Sequence, residues 1–437
     1  LHRRELLGGL LPRRVVRSPA LTLPGADLYS EFLAGTEATG RKVATTMAFV
    51  RLMRKLMVDD RIGGRVVPIV PDEARTFGME GLFREFQIYS PRGQLYEPVD
   101  SGTLTAYKEA PNGQILEEGI TEAGAMASFT AAGTSYATHG EPMVPFYLFY
   151  SMFGFQRIGD LIWAFGDARG RGFLLGAVAG RTTLLGEGLQ HQDGHSLLLA
   201  SAIPNVLAYD PAFAYEIAVI TREGLRRMFE RGEDVFYYMT LYNESYPMPS
   251  MPEGVEEGIL AGLYLLEPAL EGNGPTVRIL GSGPLVREAL RARSMLRDEY
   301  GVRAEVWSAT SYQQLRNEAL AVERWNRLHP AEIPRVPYAV KVLGEPAPVV
   351  AVTDFIKAVP HQIAPWIHGP FTVLGTDGFG RSDAREALRR HFEVDAEHVV
   401  VAALGALASA GFVKVETVQA AIDSYEIDTE AGDPREA

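Results

Sequence analysis

Apolar residues recur along this chain in two rhythms, a three-to-four spacing and short unbroken runs, and their alternation predicts the architecture. Phe49, Leu52, Met53, Leu56 and Met57 stand at i, i+3 and i+4, which puts them on one face of a helix beginning at Thr45, with Thr45 or Thr46 expected as its cap. The run 66–70 is apolar apart from Pro68 and ends at Pro71; it reads as a buried strand near a sheet edge, since proline cannot donate into a ladder. Runs at 143–150, 173–179, 206–208 and 235–240 are strands by the same criterion, with helices expected over about 122–138 and 211–229. Pro247, Pro249 and Pro252 break the pattern across 246–258. After them it repeats, with strands at 276–280, 304–307, 348–353 and 371–374 and helices at 284–300, 383–392 and 396–409. Pro284 in a first turn and Gly301 past a last one fit the helix between them.

Strands separated by helices imply βαβ units, so the fold class is α/β: two consecutive three-layer domains with mainly parallel sheets. Residues 1–40, with Pro12, Pro24 and several glycines, read as an arm, and the domains are expected at 41–250 and 251–437. At 437 residues the chain is too long for one ordinary core, which agrees.

Charge and composition narrow the function. With 42 basic against 55 acidic residues, a net −13, the chain lacks the basic excess of a nucleic-acid partner. It has no cysteine, which excludes disulfides, thiolate metal sites and cysteine nucleophiles. No window approaches the ~20 apolar residues of a membrane span. The chain opens on Leu rather than Met, with Arg pairs at 3–4 and 13–14 and no apolar signal core behind them, so a cytoplasmic protein that begins inside a longer one is expected.

Candidate chemistry gathers where strands end, as ligands do in open α/β sheets. Asp72, Glu73 and Arg75 follow the first strand, and Tyr150, Phe153 and Arg157 follow the run 143–150. Glu122 opens an Ala/Gly-rich helix, either as a proton-handling carboxylate or as a plain complement to the helix dipole. Glu187, His191, Asp193 and His195 share a Gly-rich segment. The glycines favour a loop over a zinc-binding helix, and leave His191 as an acid–base or anchoring group or as a loop histidine bonding backbone. Gly281-Ser282-Gly283 lacks the third glycine of a dinucleotide turn and reads as a tight βα turn. Asp377-Gly378-Phe379-Gly380-Arg381-Ser382-Asp383 fails the calcium-loop spacing and reads as a turn, with Ser382 or Asp383 capping the next helix.

Six long strings carry a family resemblance: VPIVPDEARTFGMEGLF (67–83), GQILEEGITEAGA (113–125), FYSMFGFQRIGDLIWA (149–164), GRTTLLGEGLQHQDGHS (180–196), YDPAFAYEIAVI (209–220) and LGTDGFGRSD (374–383). The chain resembles the middle and C-terminal domains of the homodimeric, bacterial-type decarboxylating component of the pyruvate dehydrogenase complex. The resemblance implies a pyrimidine-binding domain followed by a transketolase C-terminal-like domain, with thiamine diphosphate as cofactor. It implies oxidative decarboxylation of pyruvate with reductive acetylation of a lipoyl group, so the expected partners are a second copy and the lipoyl domain of the dihydrolipoyl acetyltransferase component. Glu122 then matches the glutamate facing the pyrimidine N1′, Phe153 the stacking aromatic and Ile120 a residue beside the ring. Tyr150 and His191 match groups near the reacting carbon, and Asp72, Glu73, Arg75, Arg157 and Glu187 match polar residues that line or support the pocket. The GDG-to-Asn fingerprint that holds diphosphate and Mg is absent, Gly166-Asp167-Ala168 being the nearest string. Magnesium ligands are therefore expected in an N-terminal domain outside this chain, with none here, and the chain alone is expected to be inactive. The alternatives are a transketolase-like carboligase, whose sugar-phosphate contacts are not identifiable, and a non-catalytic half-subunit that needs a diphosphate-binding partner.

Overall fold

In a computed structural model of the protein, residues 2, 18–71, 74–97, 107–184 and 188–436 are described. Asp72, Glu73 and Glu187 lie outside them. The first sheet has six strands, β1 (Val66–Val70), β2 (Leu116–Glu117), β3 (Val144–Tyr150), β4 (Phe173–Ala177), β5 (Val206–Tyr209) and β6 (Phe236–Thr240), in the order β2-β1-β3-β4-β6-β5 and parallel throughout. Every residue of β3, β4 and β6 is buried. That explains why they read as continuous apolar runs and not as alternation: helices cover both faces. Pro68 is tolerated because β1 has only the two-residue β2 on its outer side.

Around this sheet lie α1 (Thr45–Met57), α2 (Glu122–Thr138), α3 (Phe155–Asp167), α4 (Ser196–Ala200) and α5 (Ala214–Leu225). The cap of α1 differs from expectation. Ala44 holds the N-cap position, while Thr45 and Thr46 turn back to Tyr242: Thr46 Oγ1 donates to its carbonyl at 2.9 Å and its N–H donates to Thr45 Oγ1 at 2.7 Å. A bond across the fold outcompetes the local cap. Residues 26–34 of the expected arm form short helical turns whose Tyr29 and Phe32 are buried in the core. These apolar anchors, with Glu31 bonded by Arg51 and the Leu33 carbonyl bonded by Met251 N–H, hold a segment that has no periodicity.

The second sheet contains β7 (Tyr264–Glu267), β8 (Thr276–Gly281), β9 (Arg303–Ser308), β10 (Val349–Val352) and β11 (Phe371–Leu374), in the order β7-β9-β8-β10-β11. All its pairings are parallel except that of β7 on β9. With it go α6 (Val286–Tyr300), α7 (Tyr312–Leu328), α8 (Arg385–His391) and α9 (Ala396–Ser409). Gly281-Ser282-Gly283 is the tight turn expected: a Cβ on Gly281 would come within 2.7 Å of Val286 Cα. Glu305, inside β9, accepts from Arg278 and from the Trp307 indole. The cap of α8 is Ala384; Asp383 bonds only its neighbour's N–H, so neither Ser382 nor Asp383 fills that position. No helix among the described residues is long and apolar enough to cross a membrane.

The two sheets meet carboxyl edge to carboxyl edge. Asp210, just past β5, donates its N–H to the Thr310 carbonyl at 2.7 Å and accepts from Gly283 N–H at 3.3 Å. Asp354, just past β10, receives the N–H and hydroxyl groups of both Thr182 and Thr183 at 2.6–3.0 Å. Burial raises both carboxyl groups, Asp210 to about 6, against the hydroxyls that hold it ionised. A carboxyl whose folded value is raised stabilises the fold below its unfolded value, near 4, and that contribution is lost as the pH climbs through about 6. Asp210→Asn is therefore expected to flatten the pH dependence of stability over that interval by about 3 kcal/mol. Urea unfolding at several pH values checks it.

Candidate active site at the edge of the first sheet

The approach to Glu122 is pinned to the end of β1. Glu118 N–H donates to the Val70 carbonyl and Gly119 N–H to that of Pro71, with Gly119 at φ 81 making the turn. Thr121 then caps α2 by accepting Gly124 N–H at 3.1 Å, and Tyr147 on β3 donates its hydroxyl to the Glu122 carbonyl at 3.2 Å. The helix that carries the carboxylate is thus fixed at both its cap and its neighbouring strand. The Glu122 side chain is only 13% exposed.

From the end of β3 come Tyr150 and, in a helical turn over Ser151–Phe153, the half-buried Phe153 ring. Arg157, in the first turn of α3, joins the two halves of the site. Its Nη1 donates to Glu122 Oε1 at 2.8 Å, and its guanidinium carbon lies 3.8 Å from the Phe153 ring centre. A planar, N–H-bearing cation therefore rests on Phe153 while bonding the carboxylate.

The third contributor is the segment that follows β4. Val178 there adopts φ 50, a conformation that costs a β-branched residue on the order of 1–3 kcal/mol and is held by the packing around it. The chain returns through a helical turn over Leu189–His191, so His191 and His195 do not share a helix. The His191 ring lies 4.6 Å from Tyr150 and 5.2 Å from Phe153, centre to centre. His195 points elsewhere, its Nε2 bonding Gln156 at 2.7 Å. Asp193, fully buried, turns the chain into α4 by accepting the N–H groups of His195 and Ser196 at 2.9 Å and the Ser196 hydroxyl.

The geometry thus brings Glu122, Arg157, Phe153, Tyr150 and His191 together. Ile120 stands at the rim, 76% exposed, and Arg75 is exposed after β1. Sequence reasoning passed over Phe77, whose ring packs edge-on to Tyr150 at 5.4 Å, and Gln192. An isolated Phe and a loop Gln carry no signal of their own. Among the described residues no group of three or more His, Asp or Glu side chains could hold a metal ion. A cavity of about 660 Å³ lies elsewhere, lined by Phe213, Tyr246, Leu266 and Arg287, and none of the five clustered residues borders it.

Residues 24–249, over half of the chain, match the family described as pyruvate dehydrogenase E1 component middle domain. The chain belongs to the pyruvate dehydrogenase E1 family. Residues 262–395 match the transketolase-like C-terminal domain, so both domains of the α/β fold have their counterpart in this family. A pyruvate dehydrogenase E1 component of Pseudomonas aeruginosa is 55% identical over 435 residues, 99% of this chain and 49% of that protein. The Escherichia coli K12 E1 component is 51% identical over 439 aligned positions, covering all of this chain and 49% of its own length. The chain therefore spans about half the length of the curated relatives it matches. A transketolase from Pichia stipitis, solved with sedoheptulose 7-phosphate, has the same fold with a TM-score of 0.64 at 14% identity, over 89% of this chain and 49% of that one.

Proposed function

We propose that the carboxyl edge of the first sheet is the pyrimidine side of a thiamine diphosphate site. In this reading the chain, paired with a diphosphate- and magnesium-holding unit, carries out the oxidative decarboxylation of pyruvate and hands the acetyl group to a lipoyl arm. The supporting observation is Arg157. A flat group bearing N–H bonds simultaneously reaches the Glu122 carboxylate at 2.8 Å and lies 3.8 Å over Phe153, which are the two contacts a protonated aminopyrimidine requires. The residues fit the ring. When bound, the cofactor supplies an acidic thiazolium carbon that attacks a 2-oxo acid and an electron sink for the pair left behind by carbon dioxide.

Glu122 holds a proton against the ring nitrogen N1′ and exchanges it, which makes the exocyclic amine of the ring a better base. Phe153 fixes the plane of the ring, and Ile120 at the rim flanks it. Tyr150 and His191, packed against each other, face the reacting carbon, where His191 can donate to a substrate oxygen. Arg157 and Arg75 add the polar groups beside them; Asp72, Glu73 and Glu187, assigned by the resemblance to the same pocket, lie outside the described residues. The division of labour follows 41–250 for the pyrimidine-binding domain and 251–437 for the C-terminal one, in a homodimer expected in the cytoplasm.

His191→Ala is expected to slow the pyruvate-dependent steps on the order of 10²-fold while cofactor affinity stays within about twofold. Single-turnover kinetics and cofactor titration separate the two, and an equal loss in both would remove His191 from the substrate side. The whole reading is tested by measuring cofactor binding and pyruvate decarboxylation by this chain alone and after adding the half of an E1 relative that it does not cover. Turnover is expected only in the mixture. A mixture that binds cofactor but leaves pyruvate untouched would overturn the substrate.

A further inference from the structure

Gln192 directly follows His191, ends its helical turn and is 2% exposed. Its amide engages both backbone groups of Arg381: Oε1 accepts the N–H at 2.6 Å, and Nε2 donates to the carbonyl. One side chain thus forms the pair of bonds that a neighbouring strand would supply. The contact is tight on the other side as well. A Cβ built on Gly380 would stand 2.6 Å from Gln192 Oε1, 2.7 Å from Gln192 Cβ and 3.1 Å from the Leu189 carbonyl oxygen. Only glycine lets the 377–383 turn approach the His191 turn this closely.

The same pattern extends through the described residues of the loop, 180–184 and 188–196. Asp354 gathers Thr182 and Thr183; the Arg181 guanidinium donates to the Thr376 carbonyl; Arg385 Nε donates to the Thr183 carbonyl at 2.7 Å; and Ile356 N–H donates to the Gly194 carbonyl at 2.8 Å. All these partners lie between 354 and 385, in the C-terminal domain. The loop leaves the first sheet at β4, yet much of its polar anchorage comes from the second.

We propose that the C-terminal domain acts as the mould for the His191 loop, with Gln192 and the Gly380–Arg381 turn as positioning residues that set the orientation of the His191 ring against Tyr150 and Phe153. This gives the 377–383 turn, which does not supply the cap of α8, a role in the first domain's site. It rests on the reading of His191 as the substrate-facing group, but the clamp itself can be measured without substrate.

The experiment uses this chain and three variants. Gln192→Ala removes the clamp from one side and Gly380→Ala pushes it open from the other. Gly405→Ala, where an added Cβ meets nothing within 4 Å, is the control. Amide exchange across 188–196 is expected to quicken by about tenfold in the first two variants, the factor associated with one lost hydrogen bond. The His191 imidazole resonance should move with it, and the control should match the parent chain. Unchanged exchange and an unmoved His191 signal in both variants overturn the proposal. So does a lowered melting temperature with the His191 signal still in place, since that is plain destabilisation. His191→Ala turnover in the assembled enzyme tests the functional reading separately: normal turnover there would end the role of His191 and leave the clamp result standing.

Discussion

Glu122→Gln in the assembled enzyme is expected to lower pyruvate decarboxylation on the order of 10³-fold, within the range for losing a positioned proton-transfer group. The amide keeps the shape and can still accept a bond, but it cannot exchange a proton with a ring nitrogen. Stability should hardly change. The ion pair with Arg157 involves a side chain 49% exposed, and pairs of that kind contribute only about 0–1 kcal/mol. Losing the charge at the start of α2 removes a further ~0.3–1 kcal/mol of dipole complementarity. Steady-state rates beside a thermal melt make the check. A variant with near-normal turnover contradicts the assignment, and so does one that loses activity only because it melts.

Asp354→Ala should have the largest effect on the fold. The carboxylate receives two hydroxyls and three backbone N–H groups from Arg181, Thr182 and Thr183, all buried. Each donor left unsatisfied costs about 1–3 kcal/mol, and water in the new cavity can reach only some of them. The expected loss is more than ~3 kcal/mol, or a denaturation curve that splits in two as the carboxyl edges of the sheets uncouple. Asp354→Asn, which keeps an acceptor oxygen, should lose less. A loss below ~1 kcal/mol for Asp354→Ala in urea titration would show that the seam between the sheets is held by something else.

What could be read from sequence follows from how burial writes itself into a chain. β3, β4 and β6 are covered on both faces and appear as unbroken apolar runs, so their existence and parallel arrangement were legible. α7 was not foreseen. Only five of its seventeen residues are buried, and its stripe is diluted by Arg, Glu and Asn. β7 was missed for the same reason: an antiparallel edge strand of four residues, with one fully buried, leaves little pattern. At the site, the strand-end residues Tyr150 and Phe153 and the helix-start Glu122 were visible as chemistry at element boundaries, and the family strings tied them together. Arg157 was seen as a polar wall residue, but its bridge from Glu122 to Phe153 is a matter of rotamer and packing that no spacing rule encodes. The clamp by Gln192 was invisible because its partner is 189 positions away.

The proposed sharing of a proton between Glu122 and a ring nitrogen can be tested directly. Thiamine diphosphate carrying ¹⁵N at N1′, bound to this chain together with its diphosphate-holding half, should give the resonance of a protonated pyrimidine, and Glu122→Gln should return it to the unprotonated position. An N1′ signal that is the same in both proteins would mean the carboxylate does not address the ring.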